Sequence, residues 1–262
     1  MNRNLAIGGA LAGAVALGAT IAAFSNAQTG GGAGAFDEKQ KSEIETIVRD
    51  YLIANPEVIL EAVRGLEERE RARADELALE GARANLDALL ADDGGFTIAS
   101  DPAKARVAVI EMFDYHCGYC KRAMGLVQDL AREDAAVKVV FRELPVLREE
   151  SELAARAALA ARAQGKYAEL HFAMMGASGV IDRARLKKIA ADAGLDVARL
   201  EKDMEAPAVE KALEDTRRIA DAMGVDGTPA FIIASLDGKF IRVVPGYSEE
   251  AIAEAIAEAK KS

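Results

Sequence analysis

Residues 107–120 read VAVIEMFDYHCGYC, an apolar run that ends in two cysteines three positions apart. Val107 to Phe113 is nearly continuous in apolar side chains, the pattern of a strand covered on both faces. A helix is expected to start at the cysteines and to run through Leu130 and Ala131. Residues 137–141 (VKVVF) form a second strand, and two strands joined by a helix make a right-handed βαβ unit with parallel strands. The fold class is therefore α/β from about residue 103 to the end.

Outward from this unit the pattern changes. Residues 148–225 are almost wholly helical in period, with Gly165, Gly179 and Gly194 as punctuation. Residues 230–234 (AFIIA) and 240–244 (FIRVV) are strands joined by a turn at Asp237-Gly238, a hairpin signal. Ser248 then caps a last helix, with acids in its first turn and Lys260-Lys261 at its end, both matched to the dipole. The order is β-α-β, a helical insertion, then β-β-α.

Upstream, Ile44, Ile47, Val48, Tyr51 and Leu52 recur at helical spacing. Asn55-Pro56 stops that helix and starts the next, with Asn55 as its expected N-cap. Val58, Ile59, Leu60, Val63 and Leu66 continue the apolar pattern. Residues 67–76 (EERERARADE) carry no large apolar side chain and read as a solvated helical stalk, held by charge pairs of about 0.2–0.5 kcal/mol each. Leu77, Leu79, Leu86, Leu89 and Leu90 resume an apolar face before Asp92-Asp93-Gly94-Gly95. Two short helices with exposed apolar stripes make a poor core alone, so residues 36–95 are expected to be a helical oligomerisation region. Residues 28–35 (QTGGGAGA) are a linker by composition. Arg3, the uncharged run Leu5–Phe24 and Ser25-Asn26-Ala27 make residues 1–27 an export signal, or an uncleaved anchor through residues 5–24. Either places the rest of the chain in an exported, periplasmic compartment that permits disulfides.

Composition removes several classes of function. The 262 residues carry a formal charge of −10, which argues against nucleic-acid binding. Cys117 and Cys120 are the only thiols, which excludes a disulfide-stapled scaffold. As a staple the pair would close four residues, a gain of about 2 kcal/mol against about 4.7 for a hundred-residue loop. A zinc site wants four ligands, and the only imidazoles are His116 and His171. Cu(I) binding by the two thiolates remains as an alternative. The better reading is a redox pair. At a strand-to-helix junction Cys117 sits where free N–H groups favour a thiolate, and Cys120, one turn on, can resolve a mixed disulfide. Glu111 interrupts an apolar strand, so it is either a buried acid with a raised pKa or a strand-end residue facing water. His171, Met174 and Met175 read as packing residues.

The stretch from Glu111 to Arg122, EMFDYHCGYCKR, resembles the active-site segment of DsbA-like thiol-disulfide oxidoreductases of the thioredoxin superfamily. Residues 141–147 (FRELPVL) resemble the segment after their second central strand, and Gly227-Thr228-Pro229 their cis-proline loop. Residues 47–62 (IVRDYLIANPEVILEA) are similar to the N-terminal region of ScsC-type members. The resemblance implies a thioredoxin fold with an all-helical insertion behind an N-terminal helical segment. It implies catalysis by Cys117 and Cys120, Glu111 as proton relay, and Thr228 and Pro229 as substrate-binding residues. His116, which precedes the nucleophile, is either a modulator of its thiolate or a solvated loop histidine; Tyr119, a further modulator, stands where DsbA proteins usually have histidine. The redox-active disulfide needs no further cofactor. Expected partners are unfolded or misfolded exported proteins, a membrane thiol-redox partner and further copies of the chain. Oxidase, isomerase and reductase use the same residues, so the direction stays open.

Overall fold

The computed structural model describes residues 36–262; the expected export signal and linker lie outside them. The described chain divides into two compact units, residues up to Leu60 and residues from Glu61 onward. The first unit begins with α1 (Glu38–Ala54), started by a reciprocal capping box between Asp37 and Gln40. Asn55 does not cap the next helix with its side chain as expected. Its amide donates instead to the Tyr51 carbonyl, closing the end of α1, while its own carbonyl accepts the N–H of Val58. Helix α2 (Glu57–Ala84) then runs unbroken through the charged stretch. No residue from 36 to 60 is buried, and Ile47 and Ile53 are each 67% exposed.

The second unit is built on a five-stranded sheet. β1 (Phe96–Ile98), β2 (Val107–Phe113), β3 (Val137–Glu143), β4 (Ala230–Ser235) and β5 (Ile241–Pro245) stand in the order β1-β3-β2-β4-β5. β2 and β3 are parallel, with Val109 opposite Val139 and Phe113 opposite Glu143; the other pairs are antiparallel. The expected βαβ unit and hairpin are both present. β1 carries no sequence signal: three residues after a Gly-Gly turn are too few to show a period.

Helix α4 (Gly118–Glu133) joins β2 to β3 and buries Cys120, Ala123, Val127 and Ala131, one face at helical spacing. The insertion consists of α5 (Glu149–Ala161), α6 (Tyr167–Gly176), α7 (Arg183–Asp192), α8 (Val197–Asp203) and α9 (Pro207–Ala222). A final helix, α10 (Glu249–Ala259), is capped by Ser248.

Successive residues of β2 serve opposite faces. Val107, Val109 and Phe113 join the core formed with α4, α5, α6 and α10. Ala108, Ile110 and Met112 join a second core with Ile219, Ala220 and Met223 of α9 and its C-cap. Ala82 at the end of α2 and Leu89 of α3 (Leu86–Leu90) belong to that second core. Within residues 36–95, expected to be a helical oligomerisation region, the residues from Ala78 onward thus differ from those before and fold onto the chain's own domain. They cover one face of the sheet.

Candidate active site

The chain leaves β2 at Phe113, turns through residues 114–117 and enters α4. Cys117 is the N-cap residue of α4, with extended dihedrals (φ −77°, ψ 118°). Its Sγ accepts the N–H of Cys120 at 3.3 Å, the place where a serine or aspartate oxygen caps other helices. The Cys117 N–H donates to the Asp114 carbonyl at 3.0 Å, which closes the turn. Both cysteines are free thiols.

Residues brought from far along the chain complete the site. The peptide bond between Thr228 and Pro229 is cis, and the Thr228 carbonyl lies 3.2 Å from Cys117 Sγ. The Pro229 carbonyl accepts the N–H of Gly246 at 2.9 Å, which ties this loop to the end of β5. The buried Thr228 hydroxyl has no hydrogen-bond partner.

The two thiols are electrostatically unlike. Hydrogen bonding from the Cys120 thiol is the largest influence on Cys117; burial opposes it, and the N–H groups of Cys120 and Tyr119 add to it. Together they hold the Cys117 pKa down at about 5. Cys120 is fully buried, and burial followed by its bond to Cys117 pushes its thiol well above the ordinary range. Cys117 is thus the thiol that ionises readily, and Cys120 the thiol that keeps its proton.

Glu111 lies in the middle strand of the sheet, opposite Phe141 on one side and Phe231 on the other. It is 1% exposed, and its Oε1 has no partner. Burial first, and then the charge on Cys117, raise its pKa to about 8. Of the two sequence readings, the structure therefore has the buried acid and not the strand-end residue. His116 is not a solvated loop histidine: its side chain is 5% exposed, and its ring nitrogens are bonded to Ser151 and Ile181. Tyr119 is 57% exposed, with the Arg122 guanidinium 3.9 Å above its ring.

Three supports were not legible in the sequence. Asp114 accepts the N–H of His116 and the hydroxyl of Ser151 on Oδ1, and the N–H groups of Val146 and Leu147 on Oδ2. One carboxylate so fixes the redox loop, the loop after β3 and the start of α5. Lys121 donates to the carbonyls of Met174, Met175 and Ala177, capping the end of α6. Tyr115 and Tyr167 both donate to Oε1 of the buried Glu143, and Tyr115 also meets His171 Nδ1 at 3.0 Å. His171 is a packing residue in an aromatic cluster with Phe113, Phe141 and Phe172. An acid just after an apolar strand, as at Asp114, or at the end of one, as at Glu143, was the available signal. Among the described residues no third His, Cys, Asp or Glu joins the thiols in a group able to hold a metal.

Comparison with known proteins matches the same regions. A family model described as a DSBA-like thioredoxin domain covers residues 108–257, and one described as the copper resistance protein ScsC N-terminal domain covers residues 40–73. The chain is similar to a thioredoxin-like oxidoreductase from Silicibacter pomeroyi DSS-3, at 40% identity over 67% of this chain and 98% of that one, with a TM-score of 0.61. BcfH of Salmonella enterica Typhimurium is 24% identical over 85% of this chain and 96% of its own, with a TM-score of 0.70. The catalytic domain of Proteus mirabilis ScsC is 22% identical over 70% of this chain and 98% of its own, with a TM-score of 0.60. The latter two show likeness of fold. Curated relatives are Na(+)/H(+) antiporters named NhaA, the one from Herminiimonas arsenicoxydans being 33% identical over 133 residues, 50% of this chain and 21% of the relative. The chain spans about a fifth of the length of the curated relatives it matches.

Proposed function

The chain belongs to the DsbA-like thioredoxin-domain family, and from that premise we propose that it is an exported thiol-disulfide oxidoreductase acting on protein clients. The observation that carries this reading is the unequal pair: Cys117 held near pKa 5 at a helix N-terminus, one turn before a buried, protonated Cys120. In the oxidised state a client thiolate attacks Cys117 Sγ. The Cys117–Cys120 bond breaks as the mixed disulfide forms, and Cys120 leaves and takes a proton, with Glu111 as donor. A second client thiolate then attacks the client sulfur and expels the Cys117 thiolate, so the client is oxidised and the pair reduced. The same steps in reverse reduce a client disulfide. Thr228 and Pro229 hold the client backbone beside Cys117 in strand-like pairing of low sequence specificity.

The working compartment is the periplasm, and the pair is reset by a membrane thiol-redox partner. Occurrence of a similar stretch within chains named as Na(+)/H(+) antiporters supports a place of work beside a membrane. Among the described residues no helix is long and apolar enough to cross one. The exposed apolar residues of α1 and of the first turns of α2 are buried against further copies of the chain. The match of residues 40–73 to a separate N-terminal domain model supports a module of that kind. Several redox pairs facing one client favour isomerase work.

Equilibration of the purified protein with glutathione buffers tests the reading and gives its direction. A potential near about −120 mV marks an oxidase and one near about −270 mV a reductase, with isomerases between. A pair that exchanges with neither oxidised nor reduced glutathione sinks it.

A further inference from the structure

The residues on either side of the cysteine pair, His116 and Lys121, both reach into the helical insertion. Lys121 holds the end of α6. His116 holds the segment between α6 and α7: its Nε2 lies 3.0 Å from the backbone N–H of Ile181 and its Nδ1 2.9 Å from Ser151 Oγ. A backbone N–H can only donate, so Nε2 carries no proton and Nδ1 carries it. The direction of the chain of bonds is then fixed throughout. Nδ1–H donates to Ser151 Oγ, and the Ser151 hydroxyl donates to Asp114 Oδ1 at 2.7 Å. The Asp114 carboxylate is acceptor to everything else that touches it. The imidazole is only 5% exposed and the Asp114 side chain wholly covered.

Building on the oxidoreductase reading, we propose that neutral His116 is a positioning residue of the redox pair, a clasp that fastens the Ile181 segment of the insertion to the loop presenting Cys117, and that protonation of its Nε2 opens the clasp. A proton on Nε2 sets N–H against N–H at a separation of 3.0 Å, and Ile181 loses its acceptor. Charged groups face the ring from three elements. Asp114 stands on its own loop, Arg148 and Glu150 at the start of α5, and Lys121 in α4. Burial, helped by Arg148 and Lys121 against Asp114 and Glu150, lowers the His116 pKa below its ordinary value, so the clasp is closed at neutral pH. Closed, it links residues 114–117 to α5 and to the segment before α7 at once. That linkage holds the turn in which Cys117 Sγ receives the Cys120 N–H.

NMR of the full chain in its oxidised form tests this, because no thiol titrates at Cys117 there. The imidazole nitrogen shifts of His116 are expected to show the Nδ1–H tautomer at neutral pH. The Ile181 amide signal should move in acid with the same midpoint as the ring. His116→Gln retains an acceptor near the Nε2 position and cannot gain a proton, so the Ile181 titration should vanish. His116→Leu removes the acceptor; hydrogen exchange at Ile181 should quicken about tenfold. In the reduced protein its Cys117 thiolate, followed by ultraviolet absorbance, should form at higher pH than in the wild type or in His116→Gln. An Nε2–H tautomer, an Ile181 amide that ignores the ring, or a Cys117 midpoint unmoved in His116→Leu overturns the proposal. If His116→Leu does not fold, the wild-type and His116→Gln titrations still decide. A closed clasp in a protein without thiol exchange refutes the proposed function and leaves the clasp standing.

Discussion

The thiol of Cys117 and the carbonyl oxygen of Thr228, 111 positions apart in the chain, lie 3.2 Å from each other. A thiol can donate to that carbonyl and a thiolate cannot, so in the proposed reaction ionisation of Cys117 would free the Thr228 backbone acceptor for a client. The contact thereby couples readiness of the nucleophile to readiness of the loop that would bind the substrate.

The first prediction concerns stability against pH. The Cys117 pKa falls from 9.0 to about 5 on folding. A depressed folded pKa stabilises the fold fully above the unfolded value and loses that contribution as pH falls through the folded one. The disulfide form has no such proton. The stability of the reduced protein relative to the oxidised protein should therefore rise between about pH 5 and pH 8. Urea unfolding of both forms at several pH values measures this. Cys117→Ser, which forms no disulfide, should show no such rise relative to the oxidised wild type; a flat wild-type difference contradicts the assignment.

Glu111 gives a slope of the opposite sign. Its pKa rises from 4.5 to about 8 on folding, so the folded chain binds a proton that the unfolded chain has released. That contribution is complete below about pH 4.5 and is lost as pH rises through about 8. Glu111→Gln should match the wild type in acid and exceed its stability near neutral pH by on the order of 3 kcal/mol. Resolution of a mixed disulfide by Cys120 should slow and lose its step near pH 8, which stopped-flow exchange would show. Equal stability of the two proteins at neutral pH would mean that Glu111 is ionised in the fold.

How much of this was legible depends on the range of each interaction. The strand, the cysteines and the helix after them are contiguous, and their periods announce them. Glu111 stood out because a charge in a buried strand needs a reason. The clasp was invisible, because Ser151 and Ile181 lie 35 and 65 residues from His116 and neither carries a local signal. The docked end of α2 departs from its sequence pattern for another reason. Leucines 77, 79, 86, 89 and 90 suggest the buried face, yet Leu77 is 49% exposed while Ala78, Gly81 and Ala82 are buried. Small side chains permit close approach of backbones and carry little weight in a hydrophobic pattern.

That close approach yields the third prediction. A Cβ at Gly81 would stand 2.9 Å from Met223 Cα and closer still to the Ala222 carbonyl oxygen, backbone atoms that cannot step aside. Gly81→Ala should destabilise the second unit by about 1–3 kcal/mol despite the better helix propensity of alanine. At Gly65, in the same helix, the nearest atom would be the tip of Arg69 at 3.6 Å. Gly65→Ala should instead be neutral or stabilising by up to about 1 kcal/mol. The thermal melt should fall for Gly81→Ala and hold or rise for Gly65→Ala, and a loss at Gly65 equal to that at Gly81 would refute the packing argument.

The last prediction tests the oligomer. Ile47, Ile53 and Leu60 are 67%, 67% and 58% exposed on helices that bury no residue before Ala78. Apolar surface of this extent calls for a cover, and each such side chain fully buried contributes about 1.5–3 kcal/mol. Lysine at Ile47 and Leu60 would place charges where copies of the chain meet, a substitution that burial does not tolerate. Light scattering should give a multiple of the single-chain mass for the wild type and the single mass for Ile47→Lys/Leu60→Lys. Exchange with glutathione should stay the same per cysteine pair, because the redox site lies in the other unit. Refolding of a scrambled multi-disulfide client should fall, since it draws on several pairs held together. A wild-type mass equal to that of one chain, or to that of a chain lacking residues 36–95 after correction for length, would remove the basis for the oligomer and with it the argument for isomerase work.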